Sequence, residues 1–459
     1  MRWLRIVDPA DDAVSEGGAP LDDNAFAACM TPFEPFEPSP RLSVAVSGGP
    51  DSLALTLLLA SWVWRRGGSL LALTVDHGLR PEAAAEADWV GEQLKRRDIP
   101  HETLIWRPDS DAKAVQADAR TARYARLEAR CAAAGLLHLV VAHHLEDQAE
   151  TLLLRIRART GPDGLSAMAE QRELRDVRVL RPLLDVPKQR LVATLRAHGQ
   201  PWIADPSNDD PRHERVRVRR CLPALRDSGI TAPGLAAYAQ AMGRLRSHLD
   251  RARNALAAQA VAVHPAGYAR VESAPVLAAP EPVGAAVLAR TLRTIGGRDH
   301  LPRGDRLSRL TLGLREAPWR SRTLGGCHIL PRRDHWLIVR EVGRAAALPL
   351  GRSETMHYDG RFRIETAAGA PSGCRLAYLG EAGVATLRAA RPDSAFAAFP
   401  PWARFALPGL WDDAGLREVP HLNWCRNDAV PLVARCLFEP RRAVGEAGFT
   451  VAQGAMHII

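Results

Sequence analysis

Short apolar strands and amphipathic helices alternate between residues 41 and 159, and this alternation constrains the fold more than any other feature of the sequence. The predicted strands are 42–46, 70–75, 102–106 and 136–142, and the predicted helices are 53–64, 81–97, 114–134 and 145–159. Strands connected through helices run parallel, and right-handed crossovers cover both faces of the sheet. The pattern therefore predicts a doubly wound α/β domain. Because ligands of such sheets bind beyond the carboxyl ends of the strands, we expect the loops after these strands to converge on one crevice.

The chain of 459 residues is too long for one ordinary core and is expected to fold as several domains. Residues 1–40 end in a proline-rich stretch, which cannot continue a helix and predicts an extended lead-in. Residues 41–240 form the predicted parallel-sheet domain, residues 241–345 a helical region, and residues 346–459 a small mixed α/β domain. Strand-like segments within the last region are predicted at 361–365, 376–378 and 432–438.

The formal net charge of +9 favours a polyanionic partner, although a general bias towards arginine and alanine would produce the same charge. The seven cysteines are scattered and never spaced as a CxxC pair. This spacing predicts reduced thiols in the cytoplasm and argues against zinc or iron–sulfur ligation. The longest apolar stretch, 53–64, is too short to cross a bilayer, so we expect no association with a membrane.

The loop after the first strand can hold an anion. Its residues are Ser47, Gly48, Gly49, Pro50, Asp51 and Ser52, and a helix is predicted to follow. The glycines allow close approach to the backbone, the helix N-terminus favours phosphate oxygens, and Asp51 is a candidate ligand for Mg²⁺. The alternative is a tight turn capped by one of the serines. The Gly-x-x-x-x-Gly-Lys-Ser/Thr and Gly-x-Gly-x-x-Gly motifs of other nucleotide-binding loops are both missing from the sequence.

Carboxylates cluster at the start of the helix predicted at 145–159. Glu150 follows Glu146 by four residues and Asp147 by three, so the carboxylates share one side of that helix. Acidic groups beside a phosphate loop suggest Mg²⁺ binding or recognition of an amine. The alternatives are favourable charge at a helix N-terminus for the carboxylates and a solvated loop for His143 and His144.

Four segments occur together in an order that resembles the tRNA(Ile)-lysidine synthetase family of the PP-loop, or N-type, ATP pyrophosphatases. These segments are 47–52, Val75-Asp-His-Gly-Leu-Arg80, Arg120-x-x-Arg-Tyr124 and His143-His-x-x-Asp-Gln-x-Glu-Thr151. Further matches are Arg159-x-Gly-x-x-Gly-Leu-Ser-Ala-Met168, Arg181-Pro-Leu-Leu184, Trp202-x-x-Asp-Pro-Ser-Asn208 and Arg215-x-Arg-x-Arg219. The resemblance covers about residues 41–225.

The resemblance implies a ligase that uses ATP and Mg²⁺ to join L-lysine to C2 of the wobble cytidine in the CAU anticodon of tRNA(Ile). An adenylated cytidine is the implied intermediate, and a homodimer is compatible with the family. The implied catalytic residues are Asp51, Arg123, Asp147 and Glu150, residues 47–52 are the implied ATP-binding loop, and residues 241–345 the implied tRNA-binding region. Asp51 is also the implied Mg²⁺ ligand. The implied tRNA-binding residues are Arg215, Arg217 and Arg219.

Two residues depart from the family pattern. Glu146 stands where the family usually has an aspartate, which leaves its role open, and Val216 replaces a usual asparagine, which puts a polar contact there in doubt. The segment 215–220 also alternates like an edge strand with one charged face, as an alternative to contact with the tRNA backbone. Two other functions stay open, namely a PP-loop tRNA thiolase and a non-catalytic tRNA-binding protein.

Overall fold

The computed structural model describes residues 5–9, 18–76, 78, 82–106, 115–204, 210–316, 320–350, 355–367, 373–390 and 395–452. The chain forms two compact units. The first comprises Met1–His248 and Ala447–Ile459, and the second comprises Leu249–Glu446. The domain boundaries inferred from sequence stay a prediction. None of the helices within the described ranges combines the length and the hydrophobicity that crossing a bilayer requires.

The first unit contains eight described strands and eight described helices, and α9 (Ala232–Ala260) contains the boundary between the units. The strands are β1 (Ile6–Val7), β2 (Arg41–Ala45), β3 (Ser69–Asp76), β4 (His101–Ile105), β5 (His138–Val140), β6 (Gln171–Glu173), β7 (Arg178–Leu180) and β8 (Trp202–Ile203). The helices are α1 (Asp23–Met30), α2 (Pro50–Trp64), α3 (Glu82–Lys95), α4 (Val115–Ala133), α5 (Leu145–Arg157), α6 (Pro162–Leu165), α7 (Lys188–Ala197) and α8 (Glu214–Asp227).

Six of these strands form a sheet in the order β4-β3-β2-β5-β7-β6. All neighbouring strands are parallel except β6 and β7, which are antiparallel. The predicted doubly wound sheet is therefore confirmed, with one antiparallel edge strand added. The chain moves outward from β2 to β3 and β4 and then returns to place β5 on the other side of β2. This reversal opens a crevice between the loops that follow β2 and β5.

Helix α2 is apolar on all sides because it is covered on all sides. It contacts β3, α1 and α7, and Leu53, Leu55 and Leu59 are fully buried. Part of its cover comes from the predicted lead-in, where Phe26 and Met30 of α1 have no exposed surface. The sequence did not predict α1, since its eight residues are too few to show a clear helical period.

Glu170 is a buried carboxylate of the first unit, with 8% of its surface exposed. Burial and, next, the negative charge of Asp185 raise its pKa from 4.5 to about 8. Between pH 4.5 and about 8, the folded protein therefore keeps a proton on Glu170 that the unfolded chain has lost. The free energy of unfolding falls as the pH rises through this range.

We expect Glu170→Gln, which keeps the shape but cannot ionise, to melt at a higher temperature than wild type at about pH 8.5, with a smaller difference at about pH 5. Thermal melting at both pH values tests this. The exposed Glu92→Gln should show no such trend. A difference between Glu170→Gln and wild type that stays constant with pH would contradict the prediction.

The second unit contains thirteen described strands and five described helices beyond the end of α9. The strands are β9 (Val261–His264), β10 (Tyr268–Glu272), β11 (Arg322–Leu324), β12 (Cys327–Pro331), β13 (His335–Arg340), β14 (Leu348–Pro349), β15 (Thr355–Tyr358), β16 (Phe362–Thr366), β17 (Arg375–Tyr378), β18 (Pro408–Asp412), β19 (Gly415–Val419), β20 (Trp424–Cys425) and β21 (Val433–Phe438). The helices are α10 (Ser273–Ala278), α11 (Glu281–Ile295), α12 (Gly304–Arg315), α13 (Gly380–Ala390) and α14 (Pro401–Arg404).

Three antiparallel sheets organise these strands, in the orders β11-β12-β13-β10-β9, β14-β17-β18-β19-β20 and β15-β16-β21. The three strand-like segments predicted after residue 346 correspond to β16, β17 and β21. The helices predicted for residues 241–345 are present, but the first sheet lies among them and was not predicted. Its hairpin β9–β10 directly follows the long helix α9, and β10 pairs with β13, more than 60 residues later in the chain. Sequence periodicity carries no signal for such a distant pairing.

Candidate active site

The loop between β2 and α2 is held in shape by the hydroxyl of Ser52. This hydroxyl accepts a hydrogen bond from the backbone N–H of Ser47 at 3.1 Å and donates one to the carbonyl of Gly49 at 3.0 Å. The two serine hydroxyls lie 3.3 Å apart. These hydrogen bonds shape the loop, but neither serine caps α2, whose N-cap residue is Gly49. The backbone amides of the loop are its candidate anion-binding groups.

Gly48 is required by both backbone and packing. Its φ of +82° is unfavourable for residues with a side chain, and a Cβ here would lie 2.7 Å from Ile203 Cδ1 and 2.9 Å from Val90 Cγ2. The backbone of Ile203 also donates a hydrogen bond to the carbonyl of Gly48 at 2.9 Å. The loop is therefore pressed against β8, which fixes the direction of its amides.

The N-terminus of α2 is not closed by a side chain. Gly49 is its N-cap residue, and Pro50, at the first helical position, has no N–H. The amides of Asp51 and Ser52 have no acceptor within the helix, because the first turn of any helix lacks one. Together with the helix dipole, these amides favour a phosphate at this end of α2.

His144, the last residue before α5, connects this loop with the acidic helix. Its Nε2 lies 3.5 Å from Asp51 Oδ2 and 3.6 Å from Asp147 Oδ2, and its Nδ1 lies 2.9 Å from Glu146 Oε2. Only 4% of its surface is exposed, so the sequence-based alternative of a solvated loop at this residue is wrong. It is wrong because β5 pairs with β2, which brings the two loops face to face across the crevice.

The charges around His144 stabilise its protonated form. Burial lowers the pKa of His144, but hydrogen bonds with Asp51 and Glu146 and the charge of Asp147 outweigh burial and raise it to about 10. Burial would raise the pKa values of Asp51 and Glu146, but the contacts with His144 hold both below their ordinary values. We infer an imidazolium surrounded by three carboxylates near neutral pH.

Lys188, the first residue of α7, is a second cation of this site that the sequence analysis missed. Its Nζ lies 3.6 Å from Asp51 Oδ2, and its backbone N–H donates to Glu146 Oε2 at 3.0 Å. Glu146 is thus a positioning residue that holds both His144 and the start of α7. Lys188 follows the parallel strand β7, whose three residues were too short to be predicted. Had β7 been predicted, the rule that ligands bind beyond the carboxyl ends of parallel strands would have indicated Lys188.

Asp147 and Glu150 meet arginines of α8. Asp147 Oδ2 accepts the backbone N–H of His144 at 3.1 Å, while its Oδ1 lies 3.6 Å from Arg215 Nη1. The Nε of Arg219 donates to Glu150 Oε1 at 2.7 Å. The alternative of an edge strand at 215–220 is wrong, since α8 covers these residues. Arg215 and Arg219 are one helical turn apart, so both reach α5.

Two carboxylate oxygens of the site have no hydrogen-bond partner among the described residues. Asp51 Oδ1 and Glu150 Oε2 are both buried and unpaired in this part of the chain. A buried carboxylate oxygen without a partner is costly, and native sites of this kind usually complete their bonding with a ligand, an ion or water. The site therefore favours a cation or an ammonium group.

The other predicted residues are less closely tied to this group. Arg217 donates to the carbonyls of Pro211 and Arg212 at 2.9 Å and 3.0 Å. Arg123 is exposed on α4, and the contacts of Asp51, Asp147 and Glu150 with other described residues do not include it. The predictions for His77, for 79–80, for the side chain of Arg120 and for 205–208 lie outside the described residues.

A model of a known domain and several known proteins are similar to this chain. A model of the PP-loop domain matches residues 23–225. A tRNA(Ile)-lysidine synthase of Ruegeria pomeroyi is 35% identical over 84% of this chain and 89% of its own length. The synthase of Methylobacterium nodulans is 38% identical over 65% of this chain and 88% of its own length. That of Rhodopseudomonas palustris is 45% identical over 48% and 64%, respectively. The chain therefore belongs to the tRNA(Ile)-lysidine synthase family.

Proposed function

We propose that this enzyme ligates L-lysine to C2 of the wobble cytidine in the CAU anticodon of tRNA(Ile), with conversion of ATP to AMP and pyrophosphate. Family membership supports the reaction. The observation that supports it most directly is the junction at His144, which joins the open N-terminus of α2 to partly buried carboxylates. One crevice thus offers groups for a nucleotide and groups for an amine.

In the first step, the C2 oxygen of cytosine attacks the α-phosphorus of ATP, and pyrophosphate leaves. Negative charge on the phosphate oxygens must be neutralised as the bond changes. The amides at the start of α2 and the ammonium of Lys188 face that charge, and preorganised donors of this kind contribute strongly to catalysis. Asp51 keeps Lys188 near the loop through their contact at 3.6 Å.

Mg²⁺ is the metal we propose for this step. Asp51 fits it, since its Oδ1 is a buried carboxylate oxygen without a partner among the described residues. Mg²⁺ commonly binds one or two carboxylates together with substrate phosphates. When bound, the ion would neutralise phosphate charge.

In the second step, the ε-amine of lysine attacks C2, the C2–O bond breaks, and AMP leaves. Lysine arrives as an ammonium ion and must lose a proton before its nitrogen can attack. Asp147 and Glu150 provide negative charge to bind the ammonium, and a carboxylate at this position can accept the proton. The base must also leave its stack, which a flexible anticodon loop permits at modest cost.

Two other functions fit the structure less well. Thiolases of this superfamily commonly use cysteine pairs, whereas none of the seven cysteines here is spaced as a CxxC motif. A non-catalytic tRNA-binding protein would not need buried carboxylate oxygens without partners beside an open helix terminus.

Mass spectrometry of tRNA(Ile) incubated with the protein, ATP, Mg²⁺ and lysine tests the proposal. We expect a lysine adduct on the wobble cytidine and one pyrophosphate released for each adduct. Omission of lysine should leave the nucleoside unmodified. A sulfur-containing product, or binding of tRNA without pyrophosphate release, would support one of the two other functions instead.

We keep as proposed tRNA contacts Arg215, Arg217 and Arg219. Their surroundings in the structure differ. Arg215 and Arg219 contact site carboxylates, whereas Arg217 is nearly half exposed and, within the described part of the chain, contacts only Glu214, at 3.8 Å, and backbone carbonyls. Arg217 is therefore the arginine whose removal disturbs the active site least.

We expect Arg217→Gln to weaken tRNA binding severalfold and to reduce the slope of log affinity against log salt by about one. Binding measured at several salt concentrations tests this. Arg96→Gln is the matched control. Arg96 is exposed and lies between α3 and the start of β4, whereas the crevice lies beyond the carboxyl ends of the strands. An unchanged slope in Arg217→Gln would assign this arginine a purely structural role.

We further propose a cytoplasmic location, in agreement with the scattered spacing of the seven cysteines, and a homodimer, which a measurement of molecular mass in solution would test.

A further inference from the structure

Gln148 is a buried amide side chain of α5 that the proposed chemistry does not use. It follows Asp147 directly, and only 4% of its surface is exposed. Its Oε1 accepts a hydrogen bond from the backbone N–H of Met168 at 2.9 Å, and its Nε2 donates one to the backbone carbonyl of Met168 at 3.0 Å. One side chain therefore pairs with both backbone polar groups of a single residue. We call these two bonds the Gln148 clamp.

The segment that receives the clamp, residues 166–170, is held by other parts of the first unit. Arg246 of α9 donates from Nη1 to Ser166 Oγ at 3.1 Å. Arg181, which follows β7, donates from Nη1 to the carbonyl of Ala169 at 2.8 Å. Because both arginines fix this segment, the clamp attaches α5 to a defined point of the fold.

The clamp and the site carboxylates lie on different sides of α5. Successive residues of an α-helix are about 100° apart, so Gln148 is about 100° from Asp147 and about 160° from Glu150 around the helix axis. A bond on one side of the helix therefore sets the direction of the side chains on the other.

A small rotation of α5 is enough to matter. The outer atoms of a helix lie about 5 Å from its axis, so a rotation of about 12° moves a carboxylate by about 1 Å. A displacement of about 1 Å from the reactive geometry can lower a rate by about 10²-fold.

We propose that Gln148 is a positioning residue that sets the rotation of α5 and thereby orients Asp147 and Glu150 for the attack of lysine on C2. Gln148 acts through these carboxylates and contacts no substrate. The groups proposed for adenylation, Asp51 and Lys188, lie on α2 and α7, so the first step depends less on the rotation of α5. The inference rests on the proposed function and assigns the positioning of its second step.

Single-turnover kinetics, with the enzyme in excess over tRNA(Ile), separate the two steps in Gln148→Met. Methionine has a similar length and forms neither hydrogen bond of the clamp. We expect the rate of lysidine formation to fall by on the order of 10-fold to 10²-fold, because the carboxylates lose their orientation. The rate of pyrophosphate release should change by less than about threefold. Radioactivity from the α-phosphate of ATP should therefore accumulate on the tRNA before lysidine appears.

Gln148→Glu tests the hydrogen bonds themselves. A protonated carboxyl group offers the same donor and acceptor as the amide, whereas a carboxylate lacks the donor. Burial and neighbouring carboxylates favour the protonated form. We therefore expect the rate of lysidine formation, divided by that of pyrophosphate release and compared with wild type at the same pH, to be higher at about pH 6 than at about pH 8.5.

Gln189→Met is the matched control, since Gln189 is exposed on α7, and both of its rates should equal those of wild type. Thermal melting should show that the Gln148 variants are folded. Equal losses of both rates in Gln148→Met would overturn the proposal, because they would give the clamp a purely structural role. If Gln148→Met does not fold, Gln148→Glu decides, and a rate ratio that does not change with pH would overturn the proposal. Absence of any lysine adduct with wild type would instead refute the proposed function itself.

Discussion

Asp51→Ala is expected to reduce pyrophosphate release by about 10³-fold or more, the scale associated with loss of a positioned electrostatic group. The Asp51 carboxylate holds His144 and Lys188 at 3.5 Å and 3.6 Å and offers a buried oxygen to Mg²⁺. Alanine would remove all three functions. The turn itself should persist, because it depends on Gly48 and on the hydrogen bonds of Ser52.

Pyrophosphate release with ATP, tRNA and Mg²⁺ measures this effect, and a Mg²⁺ titration separates loss of the metal ligand from loss of the cation anchor. Asp88→Ala is the matched control, since Asp88 is exposed on α3 of the same unit. Asp51→Asn should be nearly as inactive as Asp51→Ala, because it keeps the size but not the charge. Unchanged ATP turnover in Asp51→Ala would refute the pyrophosphatase mechanism.

Asp147→Asn is expected to lower lysidine formation by about two orders of magnitude or more with little change in folding. An asparagine oxygen can still accept the backbone N–H of His144, so the start of α5 should be preserved. The lost negative charge lies 3.6 Å from both His144 and Arg215. Glu150 and Glu146 remain, so some ATP binding should survive.

The lysine adduct measured by mass spectrometry, alongside tRNA affinity, tests this prediction. Asp88→Asn makes the same substitution on an exposed helix and should be neutral. Full activity in Asp147→Asn would exclude a catalytic role for this carboxylate. An equal loss of tRNA binding and of lysidine formation would instead show that Asp147 acts by keeping α8 in place.

The sequence alone identified the parallel sheet and the two loops that form the crevice. Continuous apolar strands separated by amphipathic helices permit few other folds, and strand ends are where such sheets bind ligands. The spacing of Asp147 and Glu150 likewise placed them on one side of α5, because helical period alone decides which side chains are neighbours there.

Only the tertiary structure decided which groups meet across that crevice. The contacts of His144 with Asp51, of Lys188 with Asp51 and of Arg219 with Glu150 join residues that lie from 69 to 137 positions apart in the sequence. Local periodicity reports which face of an element is buried but not which element covers it. Those partners follow from the strand order, in which β5 lies beside β2, and from the packing of α8 on α5. Both are determined by burial summed over the whole unit rather than by any one segment.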